Sequence, residues 1–525
     1  MQPITSRKFT YQTRFGVSDE HEELLLEAAS LLSKVERTLF KDLYQKKRAI
    51  NELKATYLKQ YGITARQFNS CKIKLEGKVL SCKTLQSDRI LNLEQKIIKL
   101  DKHIKRLNDP LKIHHKKRRL SSLKTQYEKL VKDKKEGKIR ICFGSRKLFN
   151  QQFHPEENGF ATKDEWKKAW VQARSSSFFL VGSKDETCGN QSCKLMKSGN
   201  SLTLFVRLPN TLSSKSLKIE NLSFAYGQEE IEKALEGNEL RRQLRLLKKP
   251  YSHLGTAVNC LFKKDQKGWR IFVTIDEKQP LAKSQNNCGV IGLDINIDRI
   301  ALAETDRFGN LIDKKSFLFA TYGKSTNQSK AVIGDVVKQI TEVACLKHKP
   351  LVIEKLNFEK KKQSLREENN AYSRMLSSFC YRQLIASIGS RAFREGIEVY
   401  EVNPAFTSII GRTKFMARYG LSTHISAALV IGRRLDNYSE KLPCYLEITD
   451  NKNSRSAFFL PERNRKKHVW SSYRELTKKL KTANVLHVST IIRSSRKLKL
   501  LCDSCGFDIL PGRLRYVNSL TELLG

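Results

Sequence analysis

The sequence predicts a multidomain α+β protein: an N-terminal helical lobe inserted in a small β-barrel, followed by an α/β domain. Three observations predict it. The chain has 525 residues, more than one ordinary core accommodates. Apolar residues recur at spacings of three and four through much of residues 19–138, then at a spacing of two in short runs through 139–280. After residue 288, strand-like and helix-like segments alternate.

The elements follow in order. Residues 8–16 (KFTYQTRFG) read as a short strand. From about 19 to 60, Leu24, Leu25, Ala28, Leu31, Leu32, Val35 and Leu39 mark one face of a helix. Ile97, Leu100, Ile104 and Leu107 mark a second over 84–108, which Asp109-Pro110 breaks. Leu120, Leu123, Tyr127 and Leu130 mark a third, giving an antiparallel hairpin or small bundle. IRICF (139–143), SSFFLVGS, SLTLFVRLP, LKIENLSFAYG and WRIFVTID read as short strands, interrupted by a helix at about 228–248; short strands with long insertions suggest a small barrel. QPLAKSQNN (279–287) has linker composition. Then come strands VIGLD, RIALAETD and KSFLFA, with a turn at Gly309-Asn310. A helix over 329–346 leads into strand LVIEKL, and a polar segment, KKKQSLREENN, into a helix over 375–394. Strand IEVYEVN and an amphipathic helix over 421–434 close the series. A β-meander followed by helix–strand pairs is an RNase H-like order. The stretch 441–525 is basic and gives no comparable pattern.

Charge narrows the partner. Lys and Arg number 98 against 54 Asp and Glu, a formal net charge of +44. Such an excess calls for a polyanion, and nucleic acid is favoured over an anionic membrane surface. No run of 18 apolar residues and no signal-peptide core stands in the sequence, so a cytoplasmic protein, nucleoid-associated when bound to DNA in a prokaryotic cell, is expected. Its 12 cysteines are mostly scattered singly, as in a reducing compartment. Residues 99–138 hold 15 Lys/Arg and 5 Asp/Glu, with a peak at Lys116, Lys117, Arg118 and Arg119. These four, with Arg241 and Arg242 at the basic end of the 228–248 helix, are the candidate nucleic-acid contacts.

Candidate chemistry rests on three residues. Asp294 ends the apolar run Val290, Ile291, Leu293, and Glu354 ends Leu351, Val352, Ile353. Two buried strands would bring these carboxylates together to hold Mg²⁺ for phosphodiester hydrolysis, where a metal activates water and stabilises the leaving oxygen. The plainer readings are an Asp294 turn with Asn296 or Asp298, and a Glu354–Lys355 pair. On the last helix His424, Ala427, Ala428 and Ile431 share a face, and the alanines permit close approach to a sheet. His424 is then the polar group near the helix start, as third ligand or simply as a histidine bonded to solvent or backbone. No acid lies between Glu401 and Asp436. Asp436, 12 residues past His424, would sit roughly 18 Å away.

GLDINIDRIALAETDRFGNL, LVIEKLNF, VNPAFTS and STHISAALVIGRR resemble the three RuvC motifs of the OrfB/TnpB transposon proteins, which are similar to compact type V CRISPR effectors. GSKDETCGNQSC and LTLFVRLP resemble a TnpB-related subgroup, and the resemblance spans residues 8–440. It implies an RNA-guided DNA endonuclease with guide RNA and target DNA as partners. Residues 1–18 would be the first wedge strand, 19–138 a helical recognition lobe, 139–280 a β-barrel wedge reading a short flanking motif, and 281–440 a RuvC-like nuclease domain. The basic extension 441–525 has no counterpart in that scheme. Two departures stand out. Where the family has Asp-x-Asn-Ala-Ala, this chain has His424-Ile425-Ser426-Ala427-Ala428. Mg²⁺ prefers oxygen, so weaker or more metal-selective cleavage, helped by Mn²⁺, is expected. Pro404-Ala405-Phe406-Thr407-Ser408 lead into IIGRTKF, with no cysteine where the family carries the pairs of a zinc ribbon. Cys502 and Cys505 make half a site, and Cys188 with Cys193 lacks a second pair, so zinc is not expected. The alternatives are an RNA-guided binder with weak or no cleavage, acting as a repressor or targeting factor, and an RNA-independent transposase or resolvase.

Overall fold

The computed structural model describes residues 6–251, 254–355, 381–416, 418–438 and 440–442, and within the C-terminal part 445–449, 455–460, 462–482, 490–491 and 514–515. They divide into two compact units, one from Ser6 to Glu277 and the other from Lys278 onward.

The first unit begins with β1 (Ser6–Phe15) and α1 (Asp19–Phe40). Ser18 caps α1, accepting from the His21 N–H, and Asp19, Glu20 and Glu22 complement the positive end of the helix dipole. A π-turn leads to α2 (Ile50–Tyr61), then α3 (Ala65–Ile104) and α4 (Pro110–Lys135). The helix expected over 84–108 thus starts at residue 65. Its start signal is a reciprocal capping box, with the Gln67 N–H donating to Thr64 Oγ1 and the Thr64 N–H to Gln67 Oε1. Asp109-Pro110 separates α3 from α4, as the sequence predicts, and Asp109 caps the second helix. The base of α3 packs on α1 through Cys71, Leu75 and Val79, but no α3 residue beyond Val79 is buried. In α4 only Asp133 is buried, and both its oxygens take Arg140. The outer parts of α3 and α4 therefore form a two-helix arm.

The strands expected to close a barrel form two open sheets among the described residues. One has the order β1, β7 (Gly268–Lys278), β6 (Asn259–Asp265), β2 (Ser177–Leu180). The other joins β3 (Cys193–Ser198), β4 (Ser201–Arg207) and β5 (Ser216–Leu222) antiparallel. Closure fails because helices take the outer edge of β2. Ser33 Oγ of α1 and Lys74 Nζ of α3 donate to the Ser177 carbonyl, and the Val181 N–H donates to Ser70 Oγ. With those groups satisfied, no further strand is needed there. Residues 139–143 are not a strand; Phe143 turns inward, edge-on to Phe40, and Arg140 is held by Asp133. Besides α6 (Gln228–Leu246), the region contains a helix the strand-rich reading missed, α5 (Lys163–Ser175), capped by Thr162.

The second unit is built on a sheet ordered β10, β9, β8, β11, β12. Strands β8 (Ile291–Ile295), β9 (Arg299–Thr305) and β10 (Leu311–Leu318) form an antiparallel meander. Strands β11 (Leu351–Glu354) and β12 (Val399–Val402) join β8 in parallel. This is the strand order of an RNase H-like domain. One face, with Ile291, Leu293, Ile300, Leu302, Leu351 and Ile353, packs on α7 (Thr326–Lys347) and α8, described over Tyr381–Glu395. The other face, with Val290, Val352, Val402, Ala301 and Ala303, packs on α9 (Thr423–Leu435). The described residues of the tail form β13 (Tyr445–Thr449), β14 (Arg455–Phe459) and α10 (Val469–Thr482), with short strands β15 (Thr490–Ile491) and β16 (Leu514–Arg515) completing a second sheet. The segment 360–370, the start of the helix expected at 375, and Cys502 and Cys505 lie outside the described residues. Among the described residues, no helix is long and apolar enough to cross a membrane.

Helix α9 sits against β8 backbone to backbone. A Cβ added to Gly292 would meet the Ala428 carbonyl oxygen at 2.0 Å and the Gly432 nitrogen at 2.6 Å. Gly292→Ala is expected to cost at least about 2 kcal/mol and to lift α9 from the sheet. Hydrogen exchange should then show lost amide protection in β8 and α9 and unchanged protection in α1.

Candidate functional site

Asp294 lies one residue from the end of β8, on the face that carries α9. The Gly292–Ala428 contact sets this part of the site. Two residues along the strand from Gly292 is Asp294, and one helical turn back from Ala428 is His424. The Ser422 side chain caps the helix by accepting from the Ile425 N–H, which starts α9 at Thr423 and puts His424 in its first turn. The His424 Nδ1 is 3.1 Å from Asp294 Oδ2. Asn296 completes a trio: its Nδ2 donates to Asp294 Oδ2 at 2.7 Å and stands 3.0 Å from His424 Nδ1. Asp294 is 9% exposed, while the His424 side chain is 39% exposed and opens to solvent. The hydrogen bond from Arg299, with its charge, holds the Asp298 carboxyl below the usual range.

Glu354 ends β11, the strand beside β8. Leu351 pairs with Ile291 and Val352 with Gly292; three residues past the first pair stand Glu354 and Asp294. The two acids are therefore level on adjacent strands, which run about 4.8 Å apart, and share the α9 face. Glu354 Oε1 accepts from the Thr407 hydroxyl at 2.6 Å. Thr407 is delivered by a tightly held loop. Phe406 takes a left-handed backbone conformation, φ +63°. Arg434 at the end of α9 donates to the carbonyls of Asn403 and Ala405 on the same loop. Phe406 also packs on two rings of α10, Trp470 at 6.3 Å and Tyr473 at 5.7 Å. Tyr473 is anchored by its hydroxyl to the Glu440 carbonyl. The C-terminal extension thereby braces the loop that holds Glu354.

Two strand-end carboxylates suit a divalent cation with a preference for oxygen. The third position is different. The His424 Nδ1 is turned to Asp294 and Asn296, and among the described residues no three His, Cys, Asp or Glu side chains are gathered to hold an ion. Asp294 and Glu354 fit such a metal; a complete three-ligand set is not assembled among the described residues.

The basic candidates separate. Lys117, Arg118 and Arg119 are exposed on α4, Lys116 is half-buried, and none of the four makes an ion pair among the described residues. Arg241 is committed internally: it donates to the Leu254 carbonyl and to Asp185, and lies over the Tyr251 ring. Arg242 pairs with Glu239 at 2.7 Å. Asn296, Thr407 and Arg434 are the members that sequence reasoning missed as site residues. All three stood in the quoted motifs, and the plainer reading of Asp294 already paired it with Asn296, as the structure does; nothing in the spacing reveals the partners of Thr407 and Arg434.

No protein-family model matches the chain, and no curated protein matches it. Among solved structures it is similar to the cryo-EM structure of the Cas12f1–sgRNA–target DNA complex, at 12% identity over 81% of this chain and 98% of that one, with a TM-score of 0.32. It is similar to T. thermophilus RuvC in complex with Holliday junction substrate, at 17% identity over 29% of this chain and 98% of that one, TM-score 0.21. A third is the Cas12i–crRNA–dsDNA complex in the I1 state, at 12% identity over 82% and 68%, TM-score 0.25. At such TM-scores the likenesses carry no argument, so any function assigned to this chain rests on its own strands and side chains.

Tyr473→Ala is expected to cost about 3 kcal/mol and to release Phe406. Amide exchange in residues 405–410 should accelerate while α3 keeps its protection.

Proposed function

We propose that this protein is an RNA-guided DNA endonuclease that cuts through a RuvC-like site. The observation that carries the reading is the placement of Asp294 and Glu354 level on adjacent parallel strands, with His424 over Asp294. Asp294 and Glu354 would hold a Mg²⁺ or Mn²⁺ ion, which when bound supplies an activated water and charge neutralisation at the phosphate. The protein's own groups prepare the place. Asn296 holds Asp294 by one carboxylate oxygen, and Thr407 holds Glu354. Such outer partners orient ligands and raise affinity for the ion. The helix start at His424 adds the positive end of a dipole beside Asp294. The net charge of +44 draws the guide RNA and the displaced DNA, with the exposed Lys117, Arg118 and Arg119 of α4 as phosphate contacts. Guide pairing would supply target sequence, and protein contacts a short flanking motif. Transposon association, as in the TnpB-related proteins, belongs to this reading.

A second reading has one observation in its favour. Asp294 Oδ2 is already shared between Asn296 and His424, which suits an RNA-guided binder that cuts weakly or not at all.

The deciding experiment purifies the chain from its host and sequences any copurifying RNA, then programs that RNA against a plasmid. A discrete RNA and metal-dependent cutting are expected; absence of RNA sinks both readings. Asp294→Ala and Glu354→Ala should each lower cleavage at least 100-fold or so, the size of losing an ion ligand's contribution. His424→Ala should reduce it and His424→Asp should raise it in Mg²⁺; unchanged cutting in His424→Ala removes the histidine from the site. Replacing Lys117, Arg118 and Arg119 together by Ala should shallow the slope of log K against log salt for heteroduplex binding by about 2 to 3.

A further inference from the structure

Far along the chain from the acids, in the Ser6–Glu277 unit, α5 carries a cavity of about 510 Å³ lined by Lys163, Asp164, Trp166, Lys167, Trp170 and Arg174, among others. Its aromatic wall is rigid. Trp166 is 7% exposed and its indole N–H donates to the Leu148 carbonyl at 2.7 Å, so it is a packed residue. Trp170 is only half-buried, and its indole N–H has no partner among the described residues. Yet its ring is fixed: it stacks on Trp166 at 6.1 Å and 10°, meets Phe149 at 5.4 Å, and passes so close to Gly144 that an added Cβ there would lie 3.1 Å away. Gly144 itself takes φ +105°, a conformation that favours glycine. A partly open indole face held from its other sides is a stacking platform already organised before any ligand arrives.

Its charged wall is short of anions. The Arg174 Nε is buried and has no hydrogen-bond partner among the described residues. Arg37 stands beside it, donating to the Arg174 carbonyl at 3.3 Å. Burial first, and then the like charge of Arg174, push the Arg37 guanidinium below its usual value. Lys163 and Lys167 are exposed and make no ion pair among the described residues. The cations that line the cavity, Lys163, Lys167 and Arg174, outnumber its one anion, Asp164, and invite a group with several acceptor oxygens.

We propose that this cavity binds one unpaired nucleotide of a single strand, its base stacked on Trp170 and its phosphate on Arg174 with Lys163 and Lys167. A planar ring together with a phosphate is the ligand that satisfies both walls, whereas an acidic peptide satisfies only one. Asp164 supplies an acceptor for a base N–H. This site is separate from Asp294 and Glu354 and does not depend on cleavage.

The test uses the full-length chain, free of copurified nucleic acid, in EDTA, so that the metal site plays no part. The probes are the trinucleotides pUpUpU and pTpTpT, with triglutamate as the peptide control. Binding is followed by tryptophan fluorescence in the wild type and by calorimetry in variants. Saturable quenching is expected. Trp170→Leu should weaken binding roughly 5- to 150-fold, the range for one base–aromatic stack, while Trp170→Phe restores most of it. Arg174→Gln should weaken it about 10-fold or more. A preference for pUpUpU identifies RNA as the source of the nucleotide, a preference for pTpTpT identifies DNA, and equality means that base and phosphate suffice. Variants within twofold of wild type, or triglutamate competing as well as pUpUpU, overturn the proposal. Either result leaves plasmid cleavage, measured separately in Mg²⁺, to judge the nuclease reading.

Discussion

The RNase H-like unit depends on one contact between two backbones, at Gly292 of β8 and Gly432 of α9. A side chain at Gly292 would collide with the helix backbone, and one at Gly432 would be tightly pressed, its Cβ 3.2 Å from Val290 and 3.3 Å from the Gly292 nitrogen. Because no side chain intervenes, the helix lies lower on the sheet than ordinary packing allows. The turn that begins α9 is brought down with it, which is how a histidine from 130 residues away in the chain reaches Asp294. The same descent places Arg434, at the far end of the helix, against the loop of Asn403 and Ala405. One steric allowance thus serves both acids, Asp294 directly and Glu354 through the loop.

Electrostatics inside the molecule follow a repeated solution. Glu36 is bridged by Lys74 and Lys78, Glu304 by Lys347 and Lys349, and Glu440 by Lys414 and Arg433. Each of these carboxylates is buried, and each carries two cations. Removing one partner of a buried pair is severe, about 3–5 kcal/mol, because the remaining charge stays in a poor solvent. In a chain so rich in Lys and Arg, a second cation is readily at hand, and the carboxylate keeps some compensation at all times. Burial still tells on the cations: it pushes the Lys74 ammonium down from its usual value, against the pull of Glu36.

Much of the second unit was legible because its signals are local. Apolar runs ended by Asp294 and Glu354 read as strands, and the small-residue face of Ala427 and Ala428 read as a helix close to a sheet. The sheet partners were less legible. Nothing in residues 177–180 says that the strand's outer edge will be satisfied by Ser33, Ser70 and Lys74, residues over a hundred positions away. A barrel was the reasonable expectation from strand spacing alone, and distant side chains overrode it. Helix α5 was missed because it lies inside a stretch whose neighbouring runs alternate like strands, although KDEWKKAWVQARS carries its own local signals, a Thr162 cap and an acidic first turn. The extension after residue 441 carried no readable pattern, since its role in bracing Phe406 lies in which rings meet and not in their order.

The edge of β2 has a mechanical meaning as well. Helix α3 has 40 residues, about 60 Å, and only its first fifteen or so are embedded. The rest stands out as a beam, held at its root by Ser70 and Lys74 to an outer strand edge that no neighbouring strand pairs among the described residues. A load applied near Ile104, such as a stiff double helix lying along the arm, acts with a lever arm of nearly 40 Å on those few bonds. The root contacts at Ser177 and Val181, with the packing of Cys71, Leu75 and Val79 on α1, are where any such load passes into the rest of the unit.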